Sequence, residues 1–203
     1  MSEPKAVAQE LVEVVPGILH WAIEDERIGG HISAAHAVVG EEGAVLIDPL
    51  PLAEEAMAQL GPVTAILVTA GSHQRSAWRL RRELEAPVWM PALAREIDED
   101  PDERYGHDDV LPGDLLALFT PGAGTTQHTL LLDDRVAFVP DLLLRPPGSE
   151  LALVPAEYMY DPDQARQSLE RLVDEHVFDV LCLSHGVPVT EDPEAAIRAA
   201  LAG

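Results

Sequence analysis

Side chains that could bind a metal or an anion follow four apolar, strand-like runs of this sequence. The runs and the residues after them form the segments Gly43–Asp48, Ala65–Arg75, Thr120–Asp141 and Leu181–Gly186. The polar residues of interest in these segments are Asp48, His73, Arg75, His128, Asp141 and His185. Carboxylates and imidazoles bind divalent metals, and an arginine guanidinium offers five N–H donors in a fixed fork that matches carboxylates. The pattern predicts a polar site built at the ends of strands.

Mostly short strands are predicted to carry these side chains. Thr64–Thr69 and Phe178–Leu183 are continuous apolar runs, which are typical of strands buried on both faces. The strands Ala34–Val39 and Ala44–Asp48 flank Gly40-Glu-Glu-Gly43, which indicates a hairpin with a four-residue loop. The other strand candidates are Leu11–Val15, Ile18–Ile23, Pro87–Met90, Leu115–Phe119, Thr129–Leu132 and Val136–Val139.

Helices are predicted between and after these strands. Apolar residues at helical spacing indicate an amphipathic helix over Ser72–Glu85, so that Ile66–Met90 forms a strand-helix-strand unit suited to a parallel pair. Asp161 and Pro162 are favoured first residues for a helix that ends near His176. The remaining predictions are a short helix over Pro51–Leu60, a last helix over Pro193–Leu201, an exposed loop over Asp98–Asp109 and a long connection over Arg145–Pro155. Strand-rich stretches alternating with helices favour sheets packed together with helices outside, in one domain over residues 1–203.

The order, spacing and strand-end positions of the four segments resemble the metallo-β-lactamase-fold superfamily. The resemblance runs from about Val14 to Leu201. It implies an α/β (α+β) fold, namely the four-layer αββα sandwich of that superfamily. It also implies a hydrolytic site in which one or two metals activate a bound water as the nucleophile.

Most of the metal ligands that the resemblance implies are absent. The family's His-x-His-x-Asp-His ligands fall on Ala70, Ser72, Gln74 and Arg75, and its next histidine falls on Ala123. Asp141 matches the metal-bridging aspartate and His185 the last histidine, so two of seven ligand positions survive. Because a catalytic zinc generally needs three protein ligands, the resemblance implies a dismantled metal site and no cofactor.

The alternative is that other histidines replace the missing ligands and rebuild a metal site. His73 lies one residue past a lost ligand position, and His128 lies five residues past Ala123. Together with Asp141 and His185, these histidines would bind zinc or another divalent metal. Histidines outside a ligand set more often serve as surface or capping groups, which is the competing interpretation of both.

Arg75 puts a permanent cation where the family has a metal ligand. We hypothesise that it replaces the metal's charge by pairing with Asp141, Asp48 or both. The competing interpretation is a surface arginine at the start of a helix. Asp48 supports the ligands in the family, although an aspartate before Pro49 also simply ends a strand. His185 likewise either lines the cleft or belongs to a turn after its strand.

Other kinds of chemistry find little support in the sequence. It has neither of the common phosphate-binding glycine loops and no Gly-x-Ser-x-Gly motif. Ser72 and His73 are adjacent, and sequence neighbours rarely present the geometry of a nucleophile and its base. Cys182, the only cysteine, lies in an apolar run and is predicted to be a core residue rather than a nucleophile.

The composition is strongly acidic, with 36 Asp and Glu against 13 Lys and Arg and a formal net charge of −23. Such a surface repels phosphate backbones and anionic membranes, so nucleic acid and membrane partners are not expected. No leader-like segment or membrane-length apolar run is found, which predicts a cytoplasmic location. A homo-oligomer is compatible with the sequence.

Three functions from different classes follow. The first is a non-hydrolytic pseudo-enzyme that binds a small anionic ligand near Arg75, His73 and His185. The second is a diverged hydrolase of the ester, thioester or lactam type that uses a rebuilt site around Asp141 and His185. The third is a structural or assembly protein whose acidic surface confers solubility.

Overall fold

The structure is a computed structural model that describes residues 3–203. The chain divides into two compact units, one ending at Tyr105 and the other spanning Gly106–Gly203. A single domain over residues 1–203 stays a prediction.

The first unit is built on a seven-stranded sheet whose strands lie side by side in chain order. The strands are β1 (Val12–Val15), β2 (Ile18–Asp25), β3 (His31–Gly40), β4 (Gly43–Ile47), β5 (Val63–Leu67), β6 (Val88–Pro91) and β7 (Glu103–Tyr105). Strands β1 to β4 pair antiparallel, and β4 to β7 pair parallel. Parallel neighbours need a crossover: α1 (Glu54–Met57) lies between β4 and β5, α2 (Ala77–Leu84) lies between β5 and β6, and residues 92–102 connect β6 to β7 without a helix.

The core of the first unit is aliphatic with two tryptophans. Ala77, Trp78 and Leu80 of α2 pack with strand residues such as Leu46 and Ile66. The middle of β5 is fully buried, as the continuous apolar run predicts. The strand ends that precede Asp48 and His73 are therefore held by a rigid core.

The second unit contains a five-stranded sheet and a separate hairpin. The strands of the sheet are β8 (Val110–Leu111), β9 (Leu115–Phe119), β10 (His128–Leu132), β11 (Val136–Val139) and β14 (Val180–Leu183), and they lie in the order β14-β11-β10-β9-β8. The hairpin pairs β12 (Leu143–Leu144) with β13 (Ala152–Leu153). Strands β11 and β14 are parallel, with Val139 opposite Leu183.

Two helices pack on the core of the second unit, α3 (Pro162–Glu175) and α4 (Pro193–Ala202). Both helices begin with proline, and the Asp161 and Asp192 side chains accept hydrogen bonds from Gln164 N and Ala195 N. This is the capping predicted from the sequence. Leu169, Leu172 and Val173 of α3 are buried in that core.

Four sequence predictions need correction at their boundaries. Asp98–Asp109 is not a plain loop, because it contains β7 and its Tyr105 is buried. The hairpin loop between β3 and β4 has two residues, since Gly40 pairs with Gly43. The connection Arg145–Pro155 contains β13. Helix α2 begins at Ala77 rather than Ser72, because Arg75 has a left-handed backbone with φ of 39°.

Within residues 3–203, no helix has both the length and the apolar character that a bilayer crossing requires.

Candidate functional site

Asp48 and His73 form a buried pair at the ends of β4 and β5. The Nδ1 of His73 lies 2.8 Å from Oδ2 of Asp48, and each side chain is at most 5% exposed. Asp48 also accepts hydrogen bonds from the backbone N–H and the hydroxyl of Thr69. With Nδ1 held by the carboxylate, the ring of His73 is fixed in orientation, and its Nε2 points away from Asp48.

The carboxylate of Asp48 stays ionised in this buried setting. Burial alone would raise its pKa, but the charges of His73 and Arg75 and the hydrogen bonds from His73 and Thr69 together lower it. The nearby Arg75 charge and the hydrogen bonds from His73 and Thr69 stabilise the ionised Asp48 carboxylate without a metal. Asp48 therefore holds the ring of His73 in place.

Arg75 points into the protein and is 4% exposed. Its Nη1 donates hydrogen bonds to the backbone carbonyls of Ala34 and Asp48. The interpretation of Arg75 as an ordinary surface arginine is therefore wrong. Its charge lies close enough to lower the pKa of Asp48. That it takes the place of a metal, and that it pairs with Asp141, remain hypotheses.

The loop after β5 is shaped by its backbone. Gly71–His73 forms one turn of 3-10 helix, and Arg75 then adopts the left-handed conformation. The N–H of Ser76 bonds to the carbonyl of Pro49, which ties this loop to the residue after Asp48. The two strand ends are thereby locked together, and His73 and Arg75 both turn inward.

Four positions on this loop are metal ligands according to the family resemblance, and none of them is a histidine or a carboxylate in this chain. Ala70 has no donor atom, and Ser72 is exposed. The amide of Gln74 donates to the carbonyls of Gly71 and Glu96 and accepts from the indole of Trp78 and the N–H of Asp98. Gln74 therefore serves as a structural link between the loop and the segment before β7.

In the second unit, Asp141 and His185 form a half-buried pair. Each lies two residues past the end of its strand, and β11 and β14 are adjacent and parallel with Val139 opposite Leu183. This register brings the two residues together, with Nε2 of His185 2.8 Å from Oδ1 of Asp141. The sequence predicts both as site residues but does not predict this contact.

His128 begins β10 and is buried against Phe119, with ring centroids 5.3 Å apart. Its Nδ1 lies 3.0 Å from the carbonyl of Thr126. Burial lowers its pKa, so the ring is neutral at pH 7. Ala123, the lost ligand position in the loop before it, packs against the apolar core of this unit.

A buried pair of two histidines, His20 and His36, was not predicted from the sequence. His20 and His36 face each other across β2 and β3, with Nδ1 of His20 3.2 Å from Nε2 of His36. Burial lowers the pKa of His20 to about 4, and burial, His20 and Arg75 hold the pKa of His36 well below its usual value. The predicted strands Ile18–Ile23 and Ala34–Val39 contain both histidines, and the pairing register of β2 and β3 places them opposite each other.

The comparisons with known proteins agree on the fold. A family profile described as the metallo-beta-lactamase superfamily matches residues 15–202. A metallo-beta-lactamase from Pontibacter korlensis aligns with a TM-score of 0.75 at 18% identity, covering 96% of this chain and 99% of that one. A metallo-beta-lactamase from Erythrobacter litoralis aligns with a TM-score of 0.73 at 16% identity, covering 95% of this chain and 94% of that one.

An archaeal metallo-beta-lactamase superfamily protein from Sulfolobus tokodaii gives a TM-score of 0.70 at 16% identity, covering 90% of this chain and 84% of that one. No curated protein matched the sequence. At these identities the solved structures establish the fold alone, and they confirm the predicted α/β fold class. The chain belongs to the metallo-β-lactamase superfamily.

Proposed function

We propose that this chain has given up the two-metal reaction of its superfamily and binds a small anionic ligand at the strand ends. The observation that carries the proposal is the burial of Arg75 at a position where the family has a metal ligand. A cation fixed at this place favours anions and repels a dication.

The residues of this chain do not fit the family's two-metal centre. Ala70 and Ala123 offer no donor atom, and all donor and acceptor positions of the Gln74 amide are used within the protein. Arg75 supplies a permanent positive charge that cannot be removed by deprotonation. No reaction step is therefore assigned to a two-metal centre.

The proposed anion site has two parts in the first unit. Arg75 supplies a fixed charge, anchored on the carbonyls of Ala34 and Asp48. His73 is the second proposed member of the site, and Asp48 fixes the orientation of its ring by holding Nδ1. His185, expected from the family resemblance to line the same cleft, completes the proposed set. With a net charge of −23, the protein attracts an anion only where such groups create a local positive potential.

A single-metal hydrolase is the second candidate, and a specific contact favours it. A metal-binding histidine usually donates the N–H of its other ring nitrogen to a carboxylate, which orients the ring. Asp48 holds Nδ1 of His73 in this way. His73, Asp141 and His185 would supply the three ligands that a catalytic zinc needs, with His128 as a further candidate. The bound metal would supply a water of lowered pKa for ester, thioester or lactam hydrolysis.

Metal content separates the two candidates. Protein purified without a metal-affinity tag is incubated with zinc, manganese or iron, desalted and measured by plasma mass spectrometry. The pseudo-enzyme proposal expects no stoichiometric metal. A 1:1 metal that is lost in His73→Asn, Asp141→Asn and His185→Asn, but kept in the exposed control His31→Asn, would overturn it in favour of the hydrolase.

Anion binding is the second arm of the test. Calorimetric titration with inorganic phosphate and with a dicarboxylate such as succinate is expected to give saturable binding. The affinity should fall about tenfold or more in Arg75→Gln and His73→Asn, because each removes a proposed contact or charge. The control is Arg82→Gln, which removes a positive charge from an exposed side chain. A protein that binds neither anions nor metal would support the structural or assembly role instead.

A further inference from the structure

The second unit contains a cavity that none of the strand-end residues lines. Its volume is about 570 Å³, within the roughly 300–1,000 Å³ range of small-molecule sites. One wall is the segment Leu151–Pro155 with Met159, and the other is formed by the start of α3 and one face of α4. This site therefore lies apart from the polar residues that follow β11 and β14.

The walls of this cavity are apolar, and its floor is made of small side chains. Ala196, Ala199 and Ala200 line it from α4, where spacings of three and four residues place them on one face of the helix. Leu151, Leu153 and Val154 face the cavity from the other side. Alanines at these three positions leave room that longer side chains would fill, so the groove between α4 and the segment around β13 suits an extended apolar chain.

Arg166 is the one cationic residue that lines the cavity. Its Nη1 donates to the backbone carbonyl of Leu201, which fixes the guanidinium near the last turn of α4. Among the described residues its other N–H groups make no hydrogen bond. Glu150 also borders the cavity, but this residue is exposed to solvent. A half-buried guanidinium beside an apolar groove matches a carboxylate at the end of an apolar body.

We propose that this cavity binds an amphipathic carboxylate, with a medium-chain fatty acid as the ligand class. The carboxylate pairs with Arg166, and the apolar chain lies along the alanine face of α4 against Leu151 and Leu153. The positive charge selects a carboxylate over an alcohol of the same length. The size of the cavity and its apolar walls select a chain of several carbons over a small anion such as acetate.

Calorimetric titration of the full chain with decanoate, below its micelle concentration, tests this proposal. Saturable 1:1 binding is expected for decanoate, with decanol at least tenfold weaker and acetate without detectable binding. Decanol as tight as decanoate, or no decanoate binding at all, would overturn the proposal.

Two pairs of variants locate the site. Arg166→Gln should weaken decanoate at least tenfold, whereas Arg198→Gln, the same change at an exposed arginine of α4, should leave the affinity unchanged. Ala199→Leu should abolish binding by filling the groove, whereas Ala195→Leu, an exposed alanine of the same helix that does not line the cavity, should not. Circular dichroism checks that each variant is folded. Equal decanoate affinity in Arg166→Gln and Arg198→Gln, or in Ala199→Leu and Ala195→Leu, would place the ligand elsewhere and reject the inference.

Discussion

The Oδ2 of Asp48 accepts a hydrogen bond from Nδ1 of His73 at 2.8 Å, in a setting where both side chains are buried. Asp48 belongs to the strand end after β4 and His73 to the one after β5, so the contact joins two parallel neighbours. Asp48 thus holds the ring of His73, which directly follows Ser72 on the loop after β5.

Replacing Asp48 by asparagine is expected to destabilise the first unit. The amide nitrogen cannot accept hydrogen bonds, so Thr69 or His73 loses its partner in a buried place, at a cost of about 1–3 kcal/mol. Urea denaturation measures the free energy of unfolding. Asp134→Asn is the matched control, because Asp134 is exposed and also has positive φ, at 48°. An equal change in both variants would show that the Asp48–His73 contact contributes nothing.

Arg75→Met is expected to lower the free energy of unfolding by about 3 kcal/mol, because two buried carbonyls and the Asp48 carboxylate lose a donor or a nearby positive charge. The same change at Arg82, whose side chain is 61% exposed, should cost less than about 0.5 kcal/mol. Chemical denaturation of both variants checks the difference. If Arg75→Met proves as mild as Arg82→Met, Arg75 does not substitute for a metal charge.

Acid is expected to destabilise the protein through the His20–His36 pair. The folded-state pKa of His20 is about 4, below the usual 6.5, because burial disfavours its charged form. The unfolded chain therefore binds more protons between these two values. The contribution of His20 to stability is complete above about pH 6.5 and is lost as the pH falls toward 4. The lowered pKa of Asp48 acts in the same direction at lower pH.

Denaturation curves at several pH values between 4.5 and 7 test this prediction. In the wild-type protein, each histidine that folding holds neutral adds up to about 1.4 kcal/mol per pH unit to the slope of the unfolding free energy between about pH 4 and 6.5. His20→Asn should reduce the slope by about one such contribution. His31→Asn, at an exposed histidine for comparison, should leave it unchanged. A slope that does not depend on His20 would contradict the assignment.

The sequence sufficed for elements whose pattern is local. The caps at Asp161 and Asp192, the buried run of β5 and the burial of Cys182 needed no knowledge of distant residues, and the structure confirms them. Strand β7 was missed because charges surround it, and its place depends on Tyr105, whose hydroxyl donates to the carbonyl of Val68. Pairing with a distant strand overrode an acidic, loop-like composition there.

In the candidate site, too, local features could be predicted from the sequence and long-range contacts could not. Residue types at the strand ends were visible in the sequence, but their partners depend on strand register and on unusual backbone angles. The Asp141–His185 contact follows from the parallel register of β11 and β14. The inward direction of Arg75 goes with its left-handed backbone, which bulky residues adopt only when the surrounding structure imposes it. Neither can be read from spacing alone.

Gly186 supports the strand end that carries His185. It has φ of 111°, and a Cβ at this position would clash with the backbone carbonyl of Arg145. Gly186→Ala should therefore force the backbone segments at Gly186 and Arg145 apart and cost more than about 4 kcal/mol, as large steric clashes in buried backbone do. The Asp141–His185 pair next to it should be disturbed as well. Gly148→Ala is the control, since Gly148 has φ of 76° but open space where the added methyl group would lie.

The control should cost only about 1 kcal/mol, which is the penalty of positive φ by itself. Urea denaturation compares the two variants, and the histidine resonances in the NMR spectrum report on the ring of His185. Similar stabilities for Gly186→Ala and Gly148→Ala would mean that the backbone at Gly186 can move away from Arg145 at little cost. In that case the strand end after β14 is not rigid, and the position of His185 is set by its contact with Asp141 rather than by its backbone.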